Sequence, residues 1–175
     1  EDLRAVDTDP SKLDAIVDRY LDSPEFGETI MEMHNETLLM RLEQSTFTFP
    51  ALGPLAGATA RQINSRFDEP LRLIADIVMS NEPYTKIVTA NYTMANGTTA
   101  AVWGLPHNGA PDEWERTPFP DGRKPLGILA TNAIYDRWRS TGFNFNRGRA
   151  NLISRALLCH DFLASDIMVD TSVDL

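Results

Sequence analysis

Five arginines, Arg137, Arg139, Arg147, Arg149 and Arg155, surround a break in the sequence pattern at Ser140–Asn146. Guanidinium groups beside a helix start can hold an anion, because their forked N–H donors add to the unpaired backbone donors of the first helical turn. The same groups can instead fix a loop by bonding backbone carbonyls, or meet carboxylates. Arg149 and Arg155 are six apart and fall on different faces of a helix, which argues against one shared pocket. The five are therefore candidate anion- or partner-binding residues, with loop fixing as the leading expectation.

Cys159-His160 ends like a c-type haem attachment site, but that site needs a second cysteine at position 156, where the chain has Ala156. No haem is expected to be attached here. A single cysteine also excludes an internal disulfide framework and a cysteine-based zinc site. Beside Leu157 and Leu158, the thiol is expected to be packed and inert; the alternatives are an intermolecular disulfide, or a redox or metal site shared with His160. His34 and His107 complete the histidine set, and none of the three forms the His-Glu-x-x-His pattern of a zinc protease. They read as unrelated surface or core residues.

Carboxylates are plentiful near the chain start. Residues 1–36 hold 11 acidic and 3 basic side chains, whereas 123–155 hold 7 basic and 1 acidic. A hydrolase dyad needs two carboxyls about 5–10 Å apart across a cleft, and the sequence shows no such enclosure. A secreted hydrolase using the N-terminal carboxylates is thus the secondary reading. No nucleophile elbow, phosphate loop or dinucleotide fingerprint is present. No catalytic, cofactor-binding or metal-ligating residue is assigned, and the chain is expected not to be an enzyme. The charge segregation leaves two readings, two solvated faces or two complementary docking surfaces. A net charge of −9 argues against nucleic acid as a partner.

The elements that would position these residues are helices. With 42% hydrophobic and 23% charged residues, the 175-residue chain is globular in composition, long enough for one domain or for one segment of a larger protein. No apolar run approaches the roughly 20 residues that span a bilayer. Asp9-Pro10 and Ser23-Pro24 are helix starts. The first opens a short helix striped by Leu13, Ile16, Val17, Tyr20 and Leu21; the second opens a longer one through Phe26, Ile30, Met33, Leu38 and Leu42 to about Gln44. Residues 45–60 lose the pattern among Phe, Pro and Gly. Leu71, Ile74, Ile77 and Val78 then form a strong helical face after Asp68 and Pro70. Ile87-Val88 is too short for a strand, Asn96 caps a brief helix through Trp103 that Gly104 ends, and His107 to Asp121 reads as a surface loop. A helix follows from Pro125 through Leu126, Leu129, Ala133 and Ile134 to Trp138. Asn146 caps the last helix, which buries Ile153, Leu157 and Leu158 and has Phe162 near its end. The expected fold is mainly α, an irregular bundle of about six helices with long Pro/Gly-containing connections in one domain over 1–175. Its segments are an acidic helical pair (1–44), an irregular middle (45–122), a basic helical pair (123–162) and a tail (163–175). Asn35-Glu-Thr37, Asn91-Tyr-Thr93 and Asn96-Gly-Thr98 match the N-glycosylation triplet, which matters only in a host that glycosylates.

Two blocks, IVTANYTMANGTTAAVWGLP at 87–106 and RKPLGILATNAIYDRWRSTGFNFNRGRANLISRALLCHDF at 123–162, resemble the C-terminal regions of large secreted proteins of planctomycetes and myxobacteria. Those proteins are built from domains of unknown function and are often fused to c-type cytochrome modules. The resemblance rests on Asn91-Tyr92, Asn96, Trp103-Gly104, Gly127-Ile128-Leu129, Ser140 and Arg147-Gly148, and the opening YLDSPEFGETIMEMHNETLL is similar to the paired helices that precede them. It implies an extracytoplasmic bacterial protein, periplasmic or at the cell surface, that works beside electron-transfer proteins. The haem-binding Cys-x-x-Cys-His expected downstream is absent from this chain. The expectation is therefore a non-catalytic scaffold or docking subunit, binding no cofactor itself, with haem c on a partner or a downstream segment. Its partner would be a cytochrome or a membrane-bound electron-transfer assembly.

Overall fold

The computed structural model describes residues 2–41, 52–143, 145–162 and 164. The protein is mainly helical and divides into two compact units, Glu1–Arg137 and Trp138–Leu175.

The first unit opens with α1 (Asp2–Thr8). Asp9 then accepts a hydrogen bond from the Ser11 N–H and leads through a 3-10 turn into α2 (Leu13–Leu21). Ser23 does the same for Phe26 at the head of α3 (Pro24–Leu38), with Pro24 at the first helical position where no N–H is needed. Both starts are the expected ones. The end of α3 is not. Leu39 turns left-handed at φ 54° and returns its N–H to Asn35, so the helix stops well before Gln44, which lies outside the described residues.

The core forms around α5 (Glu69–Met79). A capping box of Thr59 and Gln62 starts α4 (Ala60–Asn64), and a 3-10 turn over Ser65–Asp68 hands the chain to α5. Leu71, Leu73, Ile74 and Ile77 are almost completely buried. Leu73 lies off the stripe of Leu71, Ile74 and Ile77, so α5 is covered on more than one side, as a central helix must be. Its neighbours are α3, the 3-10 segment Tyr84–Val88 and a two-stranded antiparallel ribbon. The ribbon pairs β1 (Tyr92–Ala95) with β2 (Glu115–Pro118) in the register Tyr92↔Pro118 to Ala95↔Glu115. It corrects the expected surface loop over 107–121. Four-residue strands are too short to show alternation, and β1 is buried along most of its length, so no period of two was available. Arg116 of β2 then bonds Asp76 at 2.7 Å and Glu82 at 2.9 Å, tying the ribbon to the end of α5.

After β1, the Asn96 side chain accepts from the Thr99 N–H at 2.9 Å to start α6 (Gly97–Trp103), and Gly104 closes it in the left-handed conformation, both as expected. The single helix expected from Pro125 to Trp138 is two pieces. A 3-10 turn, Gly127–Ala130, is followed by an extended Thr131 and then α7 (Asn132–Arg137). Gly127 has φ +51° and gives its N–H to Ala90 at 3.0 Å, so the chain here is held by another segment and not by its own helical ladder. A buried ion pair, Arg66 to Asp136 at 2.8 Å, fastens α7 to the turn before α5.

The second unit carries α8 (Arg147–Leu157). Asn146 precedes it in the left-handed region and makes no side-chain cap; its Oδ1 accepts from the Ser140 hydroxyl. Leu152 and Ser154 are its buried residues, Ile153 and Leu157 are half-buried, and Leu158 and Phe162 are exposed, which corrects the expected buried face of Ile153, Leu157 and Leu158. Cys159 turns left-handed at φ 52°, and the Ser154 hydroxyl and carbonyl both bond His160, folding the chain back across the helix end.

Candidate functional site

The five candidate arginines are divided between the units. Arg137, at the end of α7, donates Nε to the Leu39 carbonyl at 2.8 Å, at the point where α3 has just ended and its carbonyls lack intrahelical partners. In the second unit, Arg149 donates to the Trp138 carbonyl and to Ser140 Oγ, each at 3.2 Å, and Arg147 donates to the Phe143 carbonyl. Arg139 and Arg155 are exposed. Among the acidic residues of the chain start, Asp2 meets Arg19 and Glu32 meets Arg41.

Cys159 is exposed, which corrects the expectation of a packed thiol. The left-handed turn that ends α8 swings it away from the face that Leu152 buries. His34 Nδ1 pairs with the Ile30 carbonyl at 2.7 Å and its Nε2 with the Tyr84 hydroxyl at 2.6 Å, while His107 Nε2 pairs with the Glu113 carbonyl at 3.0 Å. Among the described residues, no three of His, Cys, Asp and Glu converge as a metal-binding group would.

A carboxylate that the sequence reading passed over is strongly perturbed in the first unit. Glu69, in the first turn of α5, is fully buried. Its Oε1 accepts from Thr93 Oγ1 of β1 at 2.7 Å and from Trp103 Nε1 of α6 at 3.2 Å, and its Oε2 has no hydrogen-bond partner. Burial pushes its pKa up to about 7, against the opposing pull of Thr93, Trp103, the Asn132 backbone N–H and the charge of Arg123. Nothing in the local sequence marks it: an acidic residue at a helix start ordinarily faces water and the positive helix end.

The surface offers one feature of a different kind. Leu13, Val17, Tyr20 and Leu21 of α2 are each between 43% and 56% exposed, and no residue of the helix is buried. At 100° per residue these four and Ile16 share one face, and Asp14 and Asp18 lie along its edge beside Leu21. Arg19, away from that edge, is engaged by Asp2, which Tyr20 also reaches through its hydroxyl at 2.7 Å. The apolar stripe expected from the sequence is present, and among the described residues it stays about half exposed.

No family model, curated protein or solved structure matches the chain. Function must be read from side chains. Among the described residues, no helix is long and apolar enough to cross a membrane.

Proposed function

We propose that this chain is a non-catalytic docking module of an extracytoplasmic electron-transfer assembly, and that α2 is the element that docks. The observation that carries the reading is the exposed apolar stripe of α2 with acidic side chains along one edge. An amphipathic helix normally hides its apolar face, and a contiguous exposed one marks an interaction surface. The acidic edge selects the partner's chemistry: a protein surface with an apolar centre and a basic rim, which opposite charge would orient during encounter. The resemblance to secreted proteins fused to cytochrome modules narrows that class to a c-type cytochrome with a basic face.

Titration of the chain with a soluble, basic c-type cytochrome at increasing sodium chloride tests this. Binding should weaken steeply with salt, because exposed charges more than about 10 Å apart are screened at 0.1 M. The double substitution Leu13→Gln and Val17→Gln should weaken it roughly tenfold or more while leaving the thermal midpoint unchanged, since central interface side chains carry most of the affinity. Asp14→Asn with Asp18→Asn should flatten the salt dependence. Salt-independent binding, or full binding by the Leu13/Val17 variant, would remove the reading.

A further inference from the structure

Asparagine precedes glycine at Asn96-Gly97 and again at Asn108-Gly109. Such a pair can modify itself, because a glycine without a Cβ leaves its backbone nitrogen open to approach. That nitrogen attacks the carbonyl carbon of the asparagine side chain. A C–N bond forms to the backbone, the C–N bond of the side-chain amide breaks, and the amide leaves as ammonia with the proton given up by the glycine N–H. Water then opens the cyclic imide at either carbonyl and leaves aspartate or isoaspartate. Water is the sole co-reactant, and no electrons change hands. The reaction needs a glycine N–H without a hydrogen bond, an asparagine side chain free to rotate, and access to solvent.

The fold sets these conditions in opposite ways at the two places. Asn96 is 2% exposed. Its Oδ1 accepts from the Thr99 N–H at 2.9 Å, and its Nδ2 donates to Ser65 Oγ at 2.8 Å. The Gly97 N–H is spent on the Pro111 carbonyl at 3.0 Å, and a Cβ on Gly97 would stand 3.1 Å from that same oxygen. Attack there would first have to undo the cap of α6 and its tie to Pro111. Asn108, by contrast, is exposed and lies outside any helix or strand. Among the described residues, neither its side chain nor the Gly109 N–H makes a hydrogen bond. The loop is held around the pair and not through it. The Asn108 N–H donates to Glu115 Oε1 at 2.8 Å, His107 Nε2 pairs with the Glu113 carbonyl at 3.0 Å, and the Ala110 N–H donates to Glu113 Oε2 at 3.2 Å.

We propose that Asn108 is a self-modifying site, converted to aspartate and isoaspartate through the Gly109 nitrogen, while the fold protects the identical pair at Asn96-Gly97. The product brings a new carboxylate to a loop that already carries Asp112, Glu113 and Glu115. In its isoaspartyl form it also lengthens the backbone by one methylene between the Asn108 and Gly109 nitrogens. Both changes act on the bond from the Asn108 N–H to Glu115, which is the first residue of β2 and the partner of Ala95. Like charge at 108 weakens that bond, so the modification loosens the entry to the ribbon. The site is separate from the α2 surface.

Incubation of the folded chain at mildly alkaline pH, followed by peptide mapping with mass spectrometry, tests this. The peptide carrying Asn108 should gain the amide-to-acid mass difference with time and resolve into aspartyl and isoaspartyl forms. Asn96 should convert about a hundredfold more slowly, since three hydrogen bonds, each worth roughly a fivefold factor, must open first. In concentrated urea the two should convert at similar rates, because only the dipeptide then matters. Gly109→Ala should slow the reaction at 108 roughly tenfold or more, as a Cβ crowds the attacking nitrogen. That variant should fold, because the atom its Cβ would crowd most is Oε2 of Glu113, the far end of a flexible side chain. Asn108→Asp, which mimics one product, should speed hydrogen exchange of the amide at 108. Four outcomes would overturn the assignment: no conversion at 108 over a time in which the urea-unfolded chain converts, equal rates at 96 and 108 in the folded chain, a difference that persists in urea, or undiminished conversion in a folded Gly109→Ala. Unchanged exchange in Asn108→Asp would overturn the loosening.

Discussion

Gly127→Ala is expected to destabilise the first unit by more than about 4 kcal/mol, the range in which a single substitution is exceptional. A Cβ at this position would stand 2.1 Å from the Ile87 carbonyl oxygen, 2.5 Å from its carbon and 2.8 Å from the Val88 nitrogen. All three are backbone atoms, so no side-chain rotation can make room. The residue also has φ +51°, where any L side chain is strained by about 1–3 kcal/mol before the clash is counted. Relief would require the 3-10 segment Tyr84–Val88 to separate from the Gly127–Ala130 turn, which would stretch the bond from Gly127 N–H to Ala90. Against a typical total of about 5–15 kcal/mol, much of the native population would be lost near physiological temperature. Gly104→Ala is the control. It shares the left-handed backbone, at φ +66°, but a Cβ there would meet nothing within 4 Å, so only about 1 kcal/mol is expected. Thermal or urea unfolding of both variants decides the matter, and midpoints that differ from wild type by similar amounts would contradict the close approach.

That contrast also measures how far the sequence could be read. Glycine at 127 is visible in the sequence, but the chain pressed against it comes from 87–88, about forty residues away, and no local pattern reports such a contact. The helix expected across 125–138 failed for this reason: a periodic run of Leu126, Leu129, Ala133 and Ile134 is necessary for a helix, but a tertiary hydrogen bond to Ala90 broke it into a turn and a short α7. Capping residues were legible wherever the bond they make is local. Asp9, Ser23 and Asn96 each accept from a backbone N–H two or three residues on, and each starts its helix as read. Asn146 fails because its side chain bonds Ser140 instead. The stripe of α2 was legible as a pattern, but its exposure was not, since periodicity says which residues share a face and not whether anything covers it. Glu69 was invisible in a stronger sense. What distinguishes it is burial with one carboxylate oxygen unpaired, and that depends on everything packed around it.

Glu69 shows how such a residue becomes measurable. Its folded-state pKa of about 7 lies above the 4.5 of an ordinary glutamate, so the folded protein keeps a proton that the unfolded chain releases. Between about pH 4.5 and pH 7 the native state thus binds more protons than the unfolded state, and stability falls as pH rises through that window and levels off above it. The span corresponds to about 3 kcal/mol at 1.36 kcal/mol per unit. Glu69→Gln should abolish this slope. The amide keeps an oxygen for Thr93 Oγ1 and Trp103 Nε1, carries no charge at any pH, and matches the neutral acid in shape. Near pH 5 the variant and the wild type should unfold at similar urea concentrations. At pH 8 the variant should be more stable by up to about 3 kcal/mol, because the wild type must then hold an ion in the core or deform to release it. The difference between the two proteins cancels every other group that titrates, including the carboxylates of Asp2, Glu82 and Asp121, whose pKa values are lowered by hydrogen bonds to Tyr20, Lys86 and Arg123 respectively. A variant less stable than wild type at pH 8 would mean that the carboxylate is ionised and held by Arg123, making Glu69 a favourable charge partner and not a tolerated acid.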